Sequence, residues 1–216
     1  MAFTLPNGAV MSIAANFGPV TPVTAVSNAN PAVATAEAHD LVIGNVVVVT
    51  SGWTRLNDKV ARIAKADEGT FELLGIDTSR EAVYTPGAGA GSVRAVSAWA
   101  QLSQITEVAT SGGDQQFTTF GFLEEDDDRQ MPTTKSPISM TITVADDPAQ
   151  AYVPVCEAAD EAKETRVVRL ILPNGSVIYY NAYISISATP TLSRNNVMTR
   201  AITLSLASRP TRYQVV

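Results

Sequence analysis

This sequence predicts a mainly β protein in which one helix interrupts the strands and a small all-β module is inserted into a larger domain. Three observations carry that reading. Apolar and small polar residues alternate with period two through the C-terminal half, the pattern of half-buried antiparallel strands. One stretch, about 153–163, repeats at helical spacing instead. Proline- and glycine-rich punctuation at Pro19–Pro22 and Pro86–Gly91 brackets a segment with its own turns and β-branched runs. The expected organisation is a discontinuous core, 1–22 plus 97–216, with 23–96 as the insert.

Inside the insert, Val46–Thr50 reads as a buried strand. Val60–Ala64 and Thr70–Leu74 read as two more, with turns at Asn57-Asp58 and Glu68-Gly69. After it, a threonine- and aromatic-rich strand feeds five consecutive acids, Glu124 to Asp128. Arg129 and a proline-bearing loop with Pro132, Lys135 and Pro137 follow. Connections between strands are usually a few residues long, so this excursion is expected to contact a partner. Ile138–Val144 then alternates Ile138, Met140, Ile142 and Val144 against Ser139, Thr141 and Thr143.

Asp147-Pro148 has the form of a helix start, acid as cap and proline first. Pro154 opposes one uninterrupted helix, so a short turn is expected before a helix of about 153–163. Tyr152, Cys156, Ala159 and Lys163 share its spacing. Pro173-Asn174-Gly175 predicts a tight hairpin between Arg166–Leu172 and Ser176–Ala188. In Val197–Ala207, Met198, Ile202, Leu204 and Leu206 oppose Thr199, Ala201, Thr203 and Ser205, with Arg200 on the apolar side.

Composition limits function. The chain has 216 residues, 45% hydrophobic and only 17% charged, with net charge −6. Such a surface lacks the basic stripe that grips nucleic acid, yet permits DNA to pass without sticking. A single cysteine, Cys156, allows no intrachain disulfide. The start lacks the basic residues and apolar run of a signal peptide. Leu41–Val49, broken by Gly44-Asn45, is too short to span a bilayer. A chain folded in a reducing cytoplasm, with no membrane partner, is expected.

No motif supports catalysis, a cofactor or a metal. His39 is the only histidine, whereas zinc needs several ligands at set spacing. Cys156 lies on an apolar helical face, as a packing residue does. The acid run lacks the alternating oxygens and turn glycine of a calcium loop. No enzyme is expected. The acids are either a solvated face or a docking loop meeting bases on a neighbouring subunit, with Arg129, Lys135, Arg194, Arg200, Arg209 and Arg212 as candidate counter-charges. The Ser/Thr strand faces fit both a non-adhesive surface and an ordinary solvated sheet.

Ser111-Gly112-Gly113-Asp114-Gln115-Gln116-Phe117-Thr118-Thr119-Phe120, followed by Phe122-Leu123 and the acids to Arg129-Gln130, resembles the signature region of major tail tube proteins of long, flexible-tailed (siphovirus-like) bacteriophages. Leu5-Pro6-Asn7-Gly8, Leu172-Pro173-Asn174-Gly175-Ser176 and Arg209-Pro210 fit the same resemblance, which covers about 1–20 and 97–213. The insert is similar to a small β-module of phage structural proteins, through Ala38-His39-Asp40-Leu41, Gly44-Asn45-Val46-Val47, Leu56-Asn57, Thr70-Phe71-Glu72-Leu73 and Ile76-Asp77-Thr78-Ser79. That pattern usually has glycine where this chain has Asp40. An outward decoration and an inter-ring brace are both open for it.

The resemblance implies a β-sandwich or barrel-like core with a flanking helix. It implies hexameric rings, stacked into the tail tube of the virion, through which DNA is ejected into the host. Gln115, Gln116, Glu124, Glu125, Asp126, Asp127, Asp128, Arg129 and Lys135 are then the expected inter-ring or subunit contacts. Ser139, Thr141, Thr143, Thr199, Thr203 and Ser205 are the expected lumen lining. Partners would be further copies of the chain and the tape-measure, terminator and tip proteins. Synthesis would occur in the host bacterial cytoplasm. A virion decoration or tail-tip adhesive, carbohydrate-binding module is the alternative. It needs an exposed aromatic patch, with Trp53 a better candidate than Trp99. A carboxylate hydrolase would need a cleft with aromatic platforms.

Overall fold

The structure, a computed structural model, describes Leu5 and residues 7–214. Residues 1–4, 215–216 and Pro6 of the Leu5-Pro6-Asn7-Gly8 motif lie outside the described residues. In chain order the elements are β1 (Val10–Val23), β2 (Ala25–Val26), β3 (Ala32–Thr35), β4 (Val46–Ser51), β5 (Lys59–Asp67), β6 (Thr70–Leu73), β7 (Gly91–Leu102), β8 (Ile105–Gly112), β9 (Gln115–Phe120), β10 (Arg129–Lys135), β11 (Ile138–Ala145), α1 (Tyr152–Ala162), β12 (Thr165–Ile171), β13 (Val177–Ile186), β14 (Thr199–Leu206) and β15 (Thr211–Tyr213). The protein is mainly β with a large antiparallel sheet, as its alternation predicts.

Twelve strands follow one hydrogen-bonded path, β2-β3-β6-β5-β4-β7-β1-β12-β13-β14-β11-β8. β15 pairs β13 beside it, and β9 with β10 forms a separate two-stranded sheet. The centre of the path is β1 against β7, in register from Met11↔Leu102 to Val23↔Gly91 with bulges between Ala14 and Val20. Pro19 and Pro22 therefore do not end an element, as their punctuation reading implied. β12 pairs only Val10–Ile13, so the rest of that edge of β1 is free, and a missing N–H there breaks no ladder.

Apolar burial falls into two main clusters and a seam. One holds Met11, Ile13, Met140, Ile142, Tyr180, Ile184, Ile202 and Leu204, with Tyr152, Cys156 and Ala159 of α1 laid over them. The second lies wholly within 23–93, around Val47, Trp53, Leu56, Ile63, Phe71 and Ile76. Ala14, Val46, Val60, Val167 and Tyr179 form the seam between them. Four hydrogen bonds stitch it. Tyr213 Oη accepts from the Arg62 N–H at 3.0 Å and donates to Leu74 O at 2.9 Å. Asn181 Nδ2 and Ser208 Oγ both donate to Asp58 O, at 2.9 and 2.8 Å.

Local chemistry explains the boundaries. Asp147 does not cap the helix. Its carboxylate accepts from Ala149 N at 3.1 Å and Gln150 Nε2 at 2.6 Å, closing the turn before it. The helix starts from Ala151 without a side-chain cap. Pro154 falls in its first turn, where the backbone N–H has no intrahelical partner to lose. Lys163, grouped with the helical face by spacing, lies past the end in the left-handed region, φ 54°. Pro173-Asn174-Gly175 makes the expected hairpin, with Gly175 at φ 79° and Ser176 N bonded to Asn174 Oδ1 at 3.0 Å.

The stretch read as a proline-bearing loop is largely a strand. Arg129–Lys135 pairs antiparallel with β9, Pro132 opposite Phe117. A two-stranded ribbon gives each strand a free edge, and proline is tolerated there.

Burial has a consequence at alkaline pH. The Cys156 thiol is pushed up from 9.0 to about 12 by burial. Burial also raises Tyr152, Tyr179, Tyr180 and Tyr213. A raised acid keeps its proton in the fold while the unfolded chain has lost it, so its stabilising contribution fades as pH rises from the unfolded value to the folded one. Stability measured by urea unfolding should fall between about pH 9 and 12. Cys156→Ala, which costs about 1 kcal/mol at neutral pH through lost packing, should show a shallower fall. An unchanged slope would remove Cys156 from the effect.

Candidate functional site

The reactive residue types are occupied by packing. His39 stands edge-on to Phe71, ring centroids 5.4 Å apart, and neither ring nitrogen has a hydrogen-bond partner among the described residues. Cys156 is buried with its thiol held protonated, so it is a poor nucleophile. No group of His, Cys, Asp and Glu with metal-binding geometry occurs among the described residues. Nor is any described helix long and apolar enough to cross a membrane. Trp53, the aromatic assigned to glycan contact, is 3% exposed. Its Nε1 donates to Thr85 O at 2.8 Å and its ring meets Tyr84 at 5.2 Å. It cannot serve as an open platform, which corrects the adhesive assignment.

Three surfaces remain. The first is the β9–β10 hairpin. Gln115 faces Lys135 at its root, and Phe120 faces Arg129 beneath the tip. Glu124, Glu125, Asp126, Asp127 and Asp128 are all exposed in the turn at the far end. Among the described residues only Glu125 of these forms an ion pair, with Arg129, whose guanidinium also lies 5.6 Å from the Phe122 ring centroid. Leu123, fully exposed, and Phe122, Phe117 and Met131, each about half exposed, add apolar area to the ribbon. Gln115 Nε2 ties the strands at the root by donating to Gln116 O at 3.0 Å and Thr134 O at 3.2 Å. Gly112 aims the ribbon. It sits at φ +81°, and a Cβ there would strike the Pro137 carbonyl oxygen.

The second surface is a sheet face of small polar side chains. Ser139, Thr141 and Thr143 stand opposite Ser205, Thr203 and Ala201 on β14, and opposite Ser111, Ala109 and Glu107 on β8. Thr199 continues the same face opposite Ala145. Tyr183 and Ser185 extend it onto β13. Met140, Ile142 and Val144 point the other way, into the core. All six hydroxyl residues predicted from alternation share this face. Sequence reading missed Ser111, Ala109 and Glu107, because the weak alternation of Ile105–Gly112 was not read as a strand. Glu107 is the one ionisable side chain in those rows of β8, β11 and β14. β8 is also the end of the sheet path, so one of its edges is unpaired.

The third surface was not anticipated. A cavity of about 330 Å³ is lined by Arg55 and Lys59 of 23–96 and by Ser208 and Arg209 of the C-terminal part. It shares Ala207–Arg209 with a hollow of about 240 Å³ at the hairpin root, lined by Gly113 and Lys135. Four bases thus converge, and none forms an ion pair among the described residues. Burial first, and then repulsion from Arg209, holds the Lys59 ammonium below its ordinary value. The adjacent Asp58 carboxylate bonds to Asn57 Nδ2 at 2.8 Å instead. Of the other predicted counter-charges, Arg200 is spent on Asp146 and Glu157, at 3.8 and 3.4 Å.

Comparison with known proteins adds a family match. The model described as "Phage tail tube protein, TTP" matches residues 51–215. No curated protein matches the sequence. Among solved structures, the chain is similar to a component of the virion of a native gene transfer agent particle, at 12% identity and TM-score 0.41, covering 53% of this chain and 88% of that one. It is similar to the tube-terminating cap of the anti-feeding prophage at 20% identity and TM-score 0.39, over 53% and 83% of the two chains. A sheath/tube terminator of an extracellular contractile injection system aligns at 17% identity and TM-score 0.39, over 52% and 86%.

Because Gly112 sets the direction of the ribbon, Gly112→Ala should cost about 1–3 kcal/mol. Limited proteolysis within 113–136 should speed up while the helix and core remain protected. Unchanged cleavage would show that the ribbon is aimed by something else.

Proposed function

Starting from the fact that this chain belongs to the phage tail tube protein family, a structural component of the virion, we propose that it self-assembles into stacked hexameric rings that form the tube for DNA ejection. The observation that carries this reading is the combination of an exposed two-stranded ribbon, inserted between β8 and β11, with an uncovered hydroxyl face on the large sheet to which those two strands belong. The ribbon spans Gln115–Lys135 and ends in unpaired acids. It has no packing partner within its own chain large enough to account for its exposed Phe117, Phe122, Leu123 and Met131. Joining copies edge to edge would also satisfy the free edge of β8, which otherwise invites uncontrolled pairing.

In this assembly Gln115, Gln116, Glu124–Asp128, Arg129 and Lys135 contact the neighbouring ring or subunit. Ser139, Thr141, Thr143, Thr199, Thr203 and Ser205 line the lumen. A lining without Lys or Arg leaves phosphates unneutralised, so DNA gains no salt-dependent affinity for the wall. The insert, 23–96, is a separate module with its own core, joined by the β1–β7 ladder. A terminator or tip protein closes the tube ends, and a tape-measure protein occupies the lumen before DNA passes. The role is structural, not enzymatic.

Two measurements test this. Electron microscopy of the purified chain at high concentration should show hollow tubes or six-fold rings. Replacing Glu124–Asp128 by the corresponding amides should reduce their yield several-fold while the circular dichroism of the monomer is unchanged. Full yield from that variant would refute a contact role for the tip. Separately, Thr141→Cys in assembled tubes should react with a small maleimide but be shielded from a large polyethylene-glycol maleimide. Equal reaction with both would put Thr141 on the outside.

A further inference from the structure

Ion pairs and ring contacts take up part of the charge among the described residues. Lys65 meets Asp67, Arg166 meets Glu164, and Arg200 meets Asp146 and Glu157. Arg62, Arg94, Arg166 and Arg169 lie over Tyr213, Phe17, Phe17 and Trp99, at 4.4–5.6 Å from the ring centroids, which supplies each with a cation–π partner. Two clusters of like charge stay unpaired, and the first is the hairpin tip, where Glu124, Asp126, Asp127 and Asp128 meet no base among the described residues. The second is a pair of adjoining hollows that share Ala207–Arg209, one lined by Arg55, Lys59 and Arg209 and the other, at the hairpin root, by Lys135 and Arg209, and none of these bases pairs with an acid among the described residues.

These two patches cannot meet within one chain. β9 runs six residues from root to tip, about 20 Å at the rise of an extended strand. Folding the tip back onto its own root would break the β9–β10 ladder. Beyond a Debye length of about 10 Å at 0.1 M salt the two patches scarcely feel each other. A complement to either patch would have to come from another molecule.

We propose that the two adjoining hollows lined by Arg55, Lys59, Lys135 and Arg209 are the socket for the acidic tip Glu124–Asp128 of a second copy of this chain. The socket rests on the self-assembly reading above and specifies which surface receives the hairpin. It also assigns the inserted segment a part in assembly, since Arg55 and Lys59 come from it and Lys135 and Arg209 do not. Tip and socket are different surfaces, so the contact is heterologous and propagates from copy to copy instead of closing a two-fold dimer. Four carboxylates against four bases would form a charge-assisted network. The cavity is roomy enough for the tip side chains to enter, and carboxylates arriving beside Lys59 would offset the repulsion from Arg209.

Charge exchange tests the socket. Arg55 and Arg209 are both exposed, so Arg55→Glu with Arg209→Glu should leave the monomer folded, verified by circular dichroism. Sedimentation and electron microscopy should then show at least a ten-fold loss of assembled material at equal concentration. Asp126→Lys, Asp127→Lys and Asp128→Lys together should cause a similar loss. Mixing the two variant proteins should restore assembly by alternation of the two, since each tip then meets a socket of opposite charge, and combining all five changes in one chain should also restore most of the yield. A crosslink between Asp127→Cys on one copy and Arg209→Cys on another should form in mixed assemblies. If the unaltered chain forms tubes while the Arg55/Arg209 variant assembles equally well, or the crosslink is missing, the socket is wrong and the self-assembly reading stands. If the unaltered chain forms neither rings nor tubes, that reading fails and the socket falls with it.

Discussion

The pairing of β1 with β7 is the constraint on which the rest of this structure depends. These two long strands lie side by side at the middle of the sheet path, and every other strand of it is reached through one of them. β7 hands the ladder to β4 and so to 23–96, while β1 hands it to β12 and so to the core. The same two strands supply apolar residues to both halves. Met11, Ile13, Ala100 and Leu102 enter one cluster, and Val23 and Val93 enter the other. Bulges between Ala14 and Val20 increase the local twist and shift the register between the two clusters.

The seam shows how two cores become one framework. Tyr179 and Asn181 stand on the face of β13 that carries Tyr183 and Ser185 further along, yet the first two are buried and the last two exposed. Contact with 23–96 makes the difference. Asn181 gains one bond to Asp58 O and leaves its Oδ1 without a partner among the described residues. An unmet buried acceptor costs about 1–3 kcal/mol. Burial of Val60, Val167 and Tyr179 at the same place offsets it, at roughly 1.5–3 kcal/mol per large apolar side chain. Stacking of Arg62 and Arg169 on Tyr213 and Trp99 places cations in the seam without paired acids.

The surface beyond the seam is arranged by charge type. Hydroxyls occupy the open sheet face, bases gather at the root of the ribbon, and acids gather at its tip. A net charge of −6 hides that separation. The ribbon holds the acidic tip about 20 Å from the basic root.

The sequence by itself determined most of the strands, the helix and the faces. Period-two alternation placed Met140, Ile142 and Val144 inward and Ser139, Thr141 and Thr143 outward, because successive side chains of a strand must point to opposite sides. Turn residues marked the hairpin at Pro173-Asn174-Gly175, because glycine tolerates the positive φ that the turn requires. Tertiary structure decided what spacing cannot encode. Pro19 and Pro22 sit inside a strand because their edge has no neighbour, and Pro132 is tolerated in a ribbon for the same reason. Trp53 is buried because Thr85 and Tyr84 close over it. Arg55, Lys59, Lys135 and Arg209 lie far apart along the chain and gather around Ala207–Arg209 only in the folded protein. Local preferences act over a few residues, whereas a surface made from distant segments exists only once the long β1–β7 ladder has brought those segments side by side.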